Sequence, residues 1–255
     1  MIYTAVVLAG SRPGGDPLAA RHNQEFKALI PVAGKAMVRW PVDALLASGA
    51  LVGEIIVVTQ QPDKLRGVLP DDPRISLRPS QATIAETIFQ LIADKEAVFP
   101  ILVTTADHAL LTPAMIAEFA GKAHGADLAI GVVEQAVMIA RFPDAKRTWI
   151  GFRGGRYSGA NLFAFGSERV TGAVEQWRSV EQQRKKGWRV LAALGPALLL
   201  GAVLKLRTLD QSAAAIGRKL GLSIRPVELS DPIAAVDIDK AEDLALAEEI
   251  LGERE

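Results

Sequence analysis

The run Tyr3-Thr4-Ala5-Val6-Val7-Leu8-Ala9 carries no charged residue and stops at Gly10. A strand with apolar residues at consecutive positions buries both of its faces, so it belongs inside a parallel sheet that helices cover on each side. Residues 54–59 and 99–104 read as further strands of this kind. Residues 37–48 have helical spacing that ends near Gly49, with Pro41 early enough to be tolerated. Residues 84–94 form a second helix, and residues 112–123 a third, with Thr112 as N-cap and Pro113 at the first position.

Strand and helix therefore alternate over the first half of the chain. From 127 to 165 the pattern is strand-rich and punctuated by glycine, as suits mixed or antiparallel additions to the sheet. Residues 167–221 are strongly helical. Residues 224–228 and 232–237 read as short closing strands, and 240–251 as a terminal helix. The predicted architecture is a three-layer α/β/α sandwich with a mixed, mainly parallel sheet: a single domain over 1–255 with a helical insertion at about 167–222. With 255 residues, 49% of them hydrophobic, a buried core is easily formed.

Charge and composition exclude several functions. The 29 Lys+Arg balance 29 Asp+Glu, which argues against a protein that coats nucleic acid, so no nucleic-acid partner is expected. The absence of cysteine removes disulfides, thiolate metal sites and a cysteine nucleophile. His22, His108 and His124 are too scattered for a histidine metal site. No basic leader precedes the first strand, which makes the cytoplasm the expected compartment. Residues 190–204 are uncharged but number only 15, short of the ~20 a membrane-crossing helix needs, and they contain Gly195-Pro196. Flanked by Arg184, Lys185, Lys186, Trp188 and Arg189 on one side and by Lys205 and Arg207 on the other, this stretch suits a core helix or a homodimer contact. Membrane-surface contact through 184–207 is the alternative.

In an open α/β sheet, ligands bind beyond the carboxyl ends of the strands. After Gly10 the next glycines are Gly14 and Gly15, which fails the G-x-G-x-x-G spacing; Gly10 and Gly15 suit a P-loop, but Asp16-Pro17 replaces its Lys-Ser/Thr. What remains is a glycine turn with Arg12 and Lys27 available for phosphate oxygens. Asp107 follows a buried strand, where a carboxylate can hold Mg²⁺ or cap a turn. Asp237 and Asp239 share a face in extended geometry. Asp239 reads as the N-cap of the last helix, with Glu242 completing a capping box, and this leaves Asp237 for metal.

Several segments, taken in order, resemble one family. They are Leu8-Ala9-Gly10 with Arg12, the stretch from Lys27 through Pro31, Gly34 and Lys35 to Met37, Asp107, and Val236-Asp237-Ile238-Asp239 followed by Glu242-Asp243-Leu244. The family is the nucleotidyltransferases related to molybdenum-cofactor guanylyltransferase, with the sugar-phosphate and methylerythritol-phosphate nucleotidyltransferases beside it. The resemblance spans residues 1 to about 165 and 224–251. It implies a Rossmann-like sheet of the GT-A type and Mg²⁺-dependent transfer of a nucleoside monophosphate from a nucleoside triphosphate to a phosphorylated acceptor, with release of pyrophosphate. It would set Leu8, Ala9, Gly10, Ser11 and Arg12 against the triphosphate, with Lys27 neutralising the α-phosphate and the leaving group. Gln81, Thr83 and Thr87 would border the base, Tyr157, Gly159 and Asn161 would face the acceptor, and Asp107 and Asp237 would hold Mg²⁺. The sequence departs from the family pattern where Ser11 replaces a common glycine and where Pro13-Gly14-Gly15-Asp16 follows Arg12. Two rival readings are a nucleotide-sugar glycosyltransferase, for which Asp237-Ile238-Asp239 nominally supplies an Asp-x-Asp, and a catalytically inactive regulatory or scaffold relative.

Overall fold

Strand β1 (Tyr3–Leu8) feeds two separate cores: Ala5 and Val7 pack into one and Val6 into the other, all three fully buried. The computed structural model describes residues 1–11, 14–143, 147–181 and 206–254. After β1 come α1 (Pro17–Arg21), a hairpin of β2 (Pro31–Val32) and β3 (Lys35–Ala36), α2 (Arg39–Ala47), β4 (Val52–Thr59), α3 (Pro62–Arg66) and β5 (Ile75–Pro79). Then follow α4 (Ile84–Ala93), β6 (Ile101–Thr105), α5 (Pro113–Ala123), β7 (Leu128–Glu134), α6 (Gln135–Arg141), β8 (Ile150–Phe152) and β9 (Gly155–Phe165). The remaining described elements are α7 (Thr171–Glu181), α8 (Leu209–Leu220), β10 (Ile224–Glu228) and α9 (Ala241–Gly252).

The main sheet runs β10-β7-β9-β6-β1-β4-β5, with β9 antiparallel to its neighbours β6 and β7 and the other pairings along this path parallel. The expected mixed, mainly parallel α/β sheet is therefore present. From β1 the chain moves outward to β4 and β5, then crosses back to β6 on the other side of β1. At such a reversal an open α/β sheet forms its ligand crevice beyond the carboxyl ends of the two strands, here β1 and β6.

Strand β9 overhangs this crevice. Thr104 of β6 lies opposite Leu162, so the first half of β9 extends past the end of β6, and β8 pairs with that overhang through Ile150 and Tyr157. One face of the sheet is covered by α2, α5 and α9 through Leu45, Phe119 and Ile250. The other is covered by α4, α7 and α8 through Ile88, Val174 and Leu220. Thr112 caps α5 as its sequence indicates, its hydroxyl accepting from the Met115 N–H at 3.2 Å.

Three local features differ from the sequence expectation. Residues 232–237 are not a strand: Pro232–Ala235 form a 3-10 turn, because the Asp231 carboxylate accepts from the Ile233 N–H at 3.0 Å and Pro232 presets the first turn residue. β5 escapes the apolar-run criterion because it is an edge strand, paired only with β4 among the described residues and partly exposed throughout. The strand-rich region also contains the short helix α6. The basic and apolar stretch 184–207 lies outside the described residues except for Leu206 and Arg207. Among the described residues no helix is long and apolar enough to cross a membrane.

The close packing of β7 against β9 makes a test. Gly166 donates its N–H to the Asp127 carbonyl at 2.8 Å, and a Cβ added there would lie 2.1 Å from the Ala126 oxygen. Gly166→Ala should destabilise the protein by about 2 kcal/mol or more, as overpacking against rigid backbone does, measured by urea unfolding.

Candidate active site

The β1–β6 crevice is lined by three chain segments. Lys27 stands on a 3-10 turn whose neighbours Phe26, Ala28 and Ile30 are buried, so its backbone is anchored while the side chain projects outward. Asp107 follows β6, where Ala106 extends the parallel pairing by donating to the Leu8 carbonyl at 2.9 Å. The Thr105 hydroxyl donates to the Asp107 carboxylate. Val236 and Ile238 are buried, which turns Asp237 and Asp239 away from the core, and the Ile238 N–H donates to the Asp107 carbonyl at 3.1 Å.

The Lys27 ammonium lies 2.6 Å from Asp107 Oδ2 and 2.6 Å from Asp239 Oδ1. Burial acts to lower its pKa, but the two carboxylates outweigh burial and hold Lys27 above the usual lysine value. Asp239 is thus not the helix N-cap read from the sequence. α9 begins at Ala241, and the Asp243 carboxylate accepts from the N–H groups of Asp239 and Lys240 at 3.1 and 3.2 Å. The N-terminal bonds are supplied by Asp243, which leaves the Asp239 carboxylate to reach Lys27.

Asp237 has different partners. Arg147, its side chain only 9% exposed, donates to Asp237 Oδ1 at 2.6 Å and lies 3.3 Å from Asp243 Oδ1, and Asn161 Nδ2 donates to Asp237 Oδ2 at 3.2 Å. Asn161 sits in the overhang at φ +46°, a left-handed conformation that asparagine tolerates and that is common at functional sites. Burial pushes the Asp237 carboxyl above the usual carboxylate range. Asp239 and Asp107 act in the same direction, and Arg147 opposes them.

The glycine loop is shaped by a residue the sequence reading missed. Ser11 donates its N–H to Gln60 Oε1 at 2.8 Å and accepts at its carbonyl from Gln60 Nε2 at 2.9 Å. Leu8 ends β1, Ala9 is buried and donates to the Val58 carbonyl at 2.8 Å, and Gly10 lies against the Gln60 amide. Arg12 lies outside the described residues. Beyond β5, the Thr87 hydroxyl accepts from the Gln81 N–H at 2.9 Å and donates to the Thr83 carbonyl at 2.8 Å, while Thr83 caps α4. On the overhang Tyr157 lies opposite Glu134 and Gly159 opposite Val132. Burial pushes the Tyr157 phenol up, with Glu228 and Glu134 acting in the same direction.

The structure thus brings Lys27, Asp107 and Asp239 into one ion cluster, and Asp237, Asn161 and Arg147 into another. Arg147 and Gln60 carry no local motif; the one signal near Arg147 is that residues 141–156 hold five Lys+Arg against one Asp. Hard carboxylate oxygens on Asp107 and Asp237 fit Mg²⁺, which uses one or two protein carboxylates and completes its shell with water and phosphate oxygens. Among the described residues no group of three or more acidic or histidine side chains could hold a metal ion by itself.

Comparison with known proteins shows the family. The family model described as the MobA-like NTP transferase domain matches residues 5–215. The chain therefore belongs to that family and is a nucleotidyltransferase. The structure of a hypothetical transferase from Thermus thermophilus is 30% identical, with a TM-score of 0.81, and the match covers 96% of this chain and 100% of that one. The 4-diphosphocytidyl-2C-methyl-D-erythritol synthase of Anaerococcus prevotii is 13% identical with a TM-score of 0.61, covering 99% of this chain and 96% of its own. A CMP:2-keto-3-deoxy-manno-octonic acid synthetase complexed with CTP is 12% identical with a TM-score of 0.62, covering 99% of this chain and 100% of its own. The last two likenesses concern the fold. No curated protein matches the chain.

His108, next to Asp107, is 1% exposed, with Nδ1 3.2 Å from the Thr104 hydroxyl. Burial lowers its pKa to about 4 against the partial opposition of Asp107, so it is neutral at pH 7. With the folded pKa depressed, its contribution to stability is present above the ordinary value of 6.5 and is lost as pH falls towards 4. Stability should fall across this window by at most roughly 3 kcal/mol on its account, and His108→Gln should flatten the slope in denaturation measured against pH.

Proposed function

We propose that the enzyme transfers a nucleoside monophosphate from a nucleoside triphosphate to a phosphorylated small-molecule acceptor, with release of pyrophosphate and with Mg²⁺ as its metal ion. The observation that carries this reading is the Lys27 ammonium held between Asp107 and Asp239 in the β1–β6 crevice. When an acceptor phosphate oxygen attacks the α-phosphorus, a bond to that phosphorus forms and the bond to pyrophosphate breaks. Two anions must meet, so the site must neutralise charge and hold the groups in line; a protein nucleophile is not required.

In this reading the Lys27 ammonium moves from a carboxylate to the phosphate oxygens and stabilises the charge that grows on the leaving group. Asp107 and Asp237 would hold Mg²⁺, whose positive charge would serve the phosphate oxygens when bound. Arg147 and Asn161 keep the Asp237 carboxylate in one orientation. Leu8, Ala9, Gly10 and Ser11 border the triphosphate. The Thr83 and Thr87 hydroxyls are engaged in shaping their own loop, so the base meets backbone groups near Gln81. Tyr157, Gly159 and Asn161 on the overhang face the acceptor. A neutral, buried His108 takes no part as a base.

The test is pyrophosphate release with CTP, GTP, UTP and ATP in the presence of Mg²⁺ and phosphorylated acceptors, beginning with CTP because of the structural neighbours named for cytidylyl products. Lys27→Ala and Asp107→Ala should each lower kcat by about 10²–10³, the scale of losing one preorganised charge-stabilising group. A wild-type rate in Asp107→Ala would remove Asp107 from the metal site.

A further inference from the structure

Gln60 follows the last residue of β4, and the parallel register sets it level with the loop after β1: Leu8 pairs with Val58, and Ala9 donates to the Val58 carbonyl. We infer that Gln60 is a positioning residue for the triphosphate, acting through Ser11 without touching the nucleotide; the inference rests on the function proposed above. Its carboxamide engages both peptide groups of one residue, accepting the Ser11 N–H at 2.8 Å and donating to the Ser11 carbonyl at 2.9 Å. Only a group carrying donor and acceptor on one plane can do this. Glutamate lacks the donor, methionine has no donor and only a weak sulfur acceptor, and asparagine is one methylene shorter.

Gly10 fits the same device. Its backbone does not occupy the left-handed region, in contrast to Gly14 at φ +97° and Gly15 at φ +86°. A Cβ at Gly10 would instead lie 3.1 Å from Gln60 Nε2 and 3.3 Å from Oε1. Gly10 is therefore the residue that gives the clamp room. The clamp also consumes the Ser11 N–H, so Ser11 cannot offer that donor to phosphate while it is closed. The Ser11 hydroxyl is buried and without a hydrogen-bond partner among the described residues. Gln60 is exposed, so the clamp adds little to global stability, and its loss should be read in ligand binding.

The experiment measures binding and turnover of the four common nucleoside triphosphates with Mg²⁺ for wild type and Gln60→Met. Gln60→Met should raise Kd and KM for the triphosphate about tenfold, while kcat stays within about twofold and the thermal midpoint within about 2 °C. Wild-type binding by Gln60→Met overturns the inference. If the wild type binds none of the four triphosphates, the proposed function itself fails. Amide hydrogen exchange at Ser11 then still reads the clamp: exchange accelerated about tenfold or more in Gln60→Met is the expected result, and an unchanged rate overturns the clamp as well.

Discussion

One cation joins the parts of the chain that make this site. The Lys27 ammonium lies within 2.6 Å of carboxylates that are 80 and 212 residues away in sequence, so the early turn, the end of β6 and the segment before α9 meet at a single charge. Charges that are half buried are costly unless paired, and this pairing can form only once the parallel sheet has set β1 beside β6. The Ile238 to Asp107 backbone bond adds a neutral tie between the same two acidic segments. The sheet therefore brings the segments to one crevice, and the ion cluster fixes their relative position there.

How much of this could be read in advance depends on the range over which each feature is determined. β1 was legible because double-sided burial leaves an unbroken apolar run, and the start of α5 because the Thr112 cap and Pro113 act within one turn. The edge strand β5 was not, because half-buried residues leave no such run. Lys27, Asp107 and Asp237 stood out by position, near the glycine turn, after a buried strand and before the last helix, but only the family resemblance joined them in one site, since nothing near a lone lysine or aspartate announces its partner. Arg147 and Gln60 had neither motif nor resemblance, and their partners Asp237 and Ser11 lie 90 and 49 residues away. Asp239 is the instructive error. Its spacing to Glu242 suits a capping box, but Asp243 takes the backbone donors and the long-range ion pair with Lys27 takes Asp239. Local preference gave way to a tertiary charge, as happens where a site is being built.

The even charge count acquires a meaning from this arrangement. Residues 1–40 carry five Lys+Arg against two Asp+Glu, whereas residues 228–255 carry two against ten. The basic start supplies Lys27, the acidic end supplies Asp237, Asp239 and Asp243, and Arg147 joins from between them. The crevice thus sets two cations, Lys27 and Arg147, against four carboxylates, Asp107, Asp237, Asp239 and Asp243. A triphosphate brings several negative charges into a place where the carboxylates already hold the cations, and moving Lys27 onto phosphate would expose Asp107 and Asp239 to each other. On the proposed reading the incoming nucleotide must therefore bring a compensating cation with it. Binding as a Mg²⁺ complex meets that demand, because the metal can take the place at Asp107 that Lys27 gives up when it turns to the phosphates.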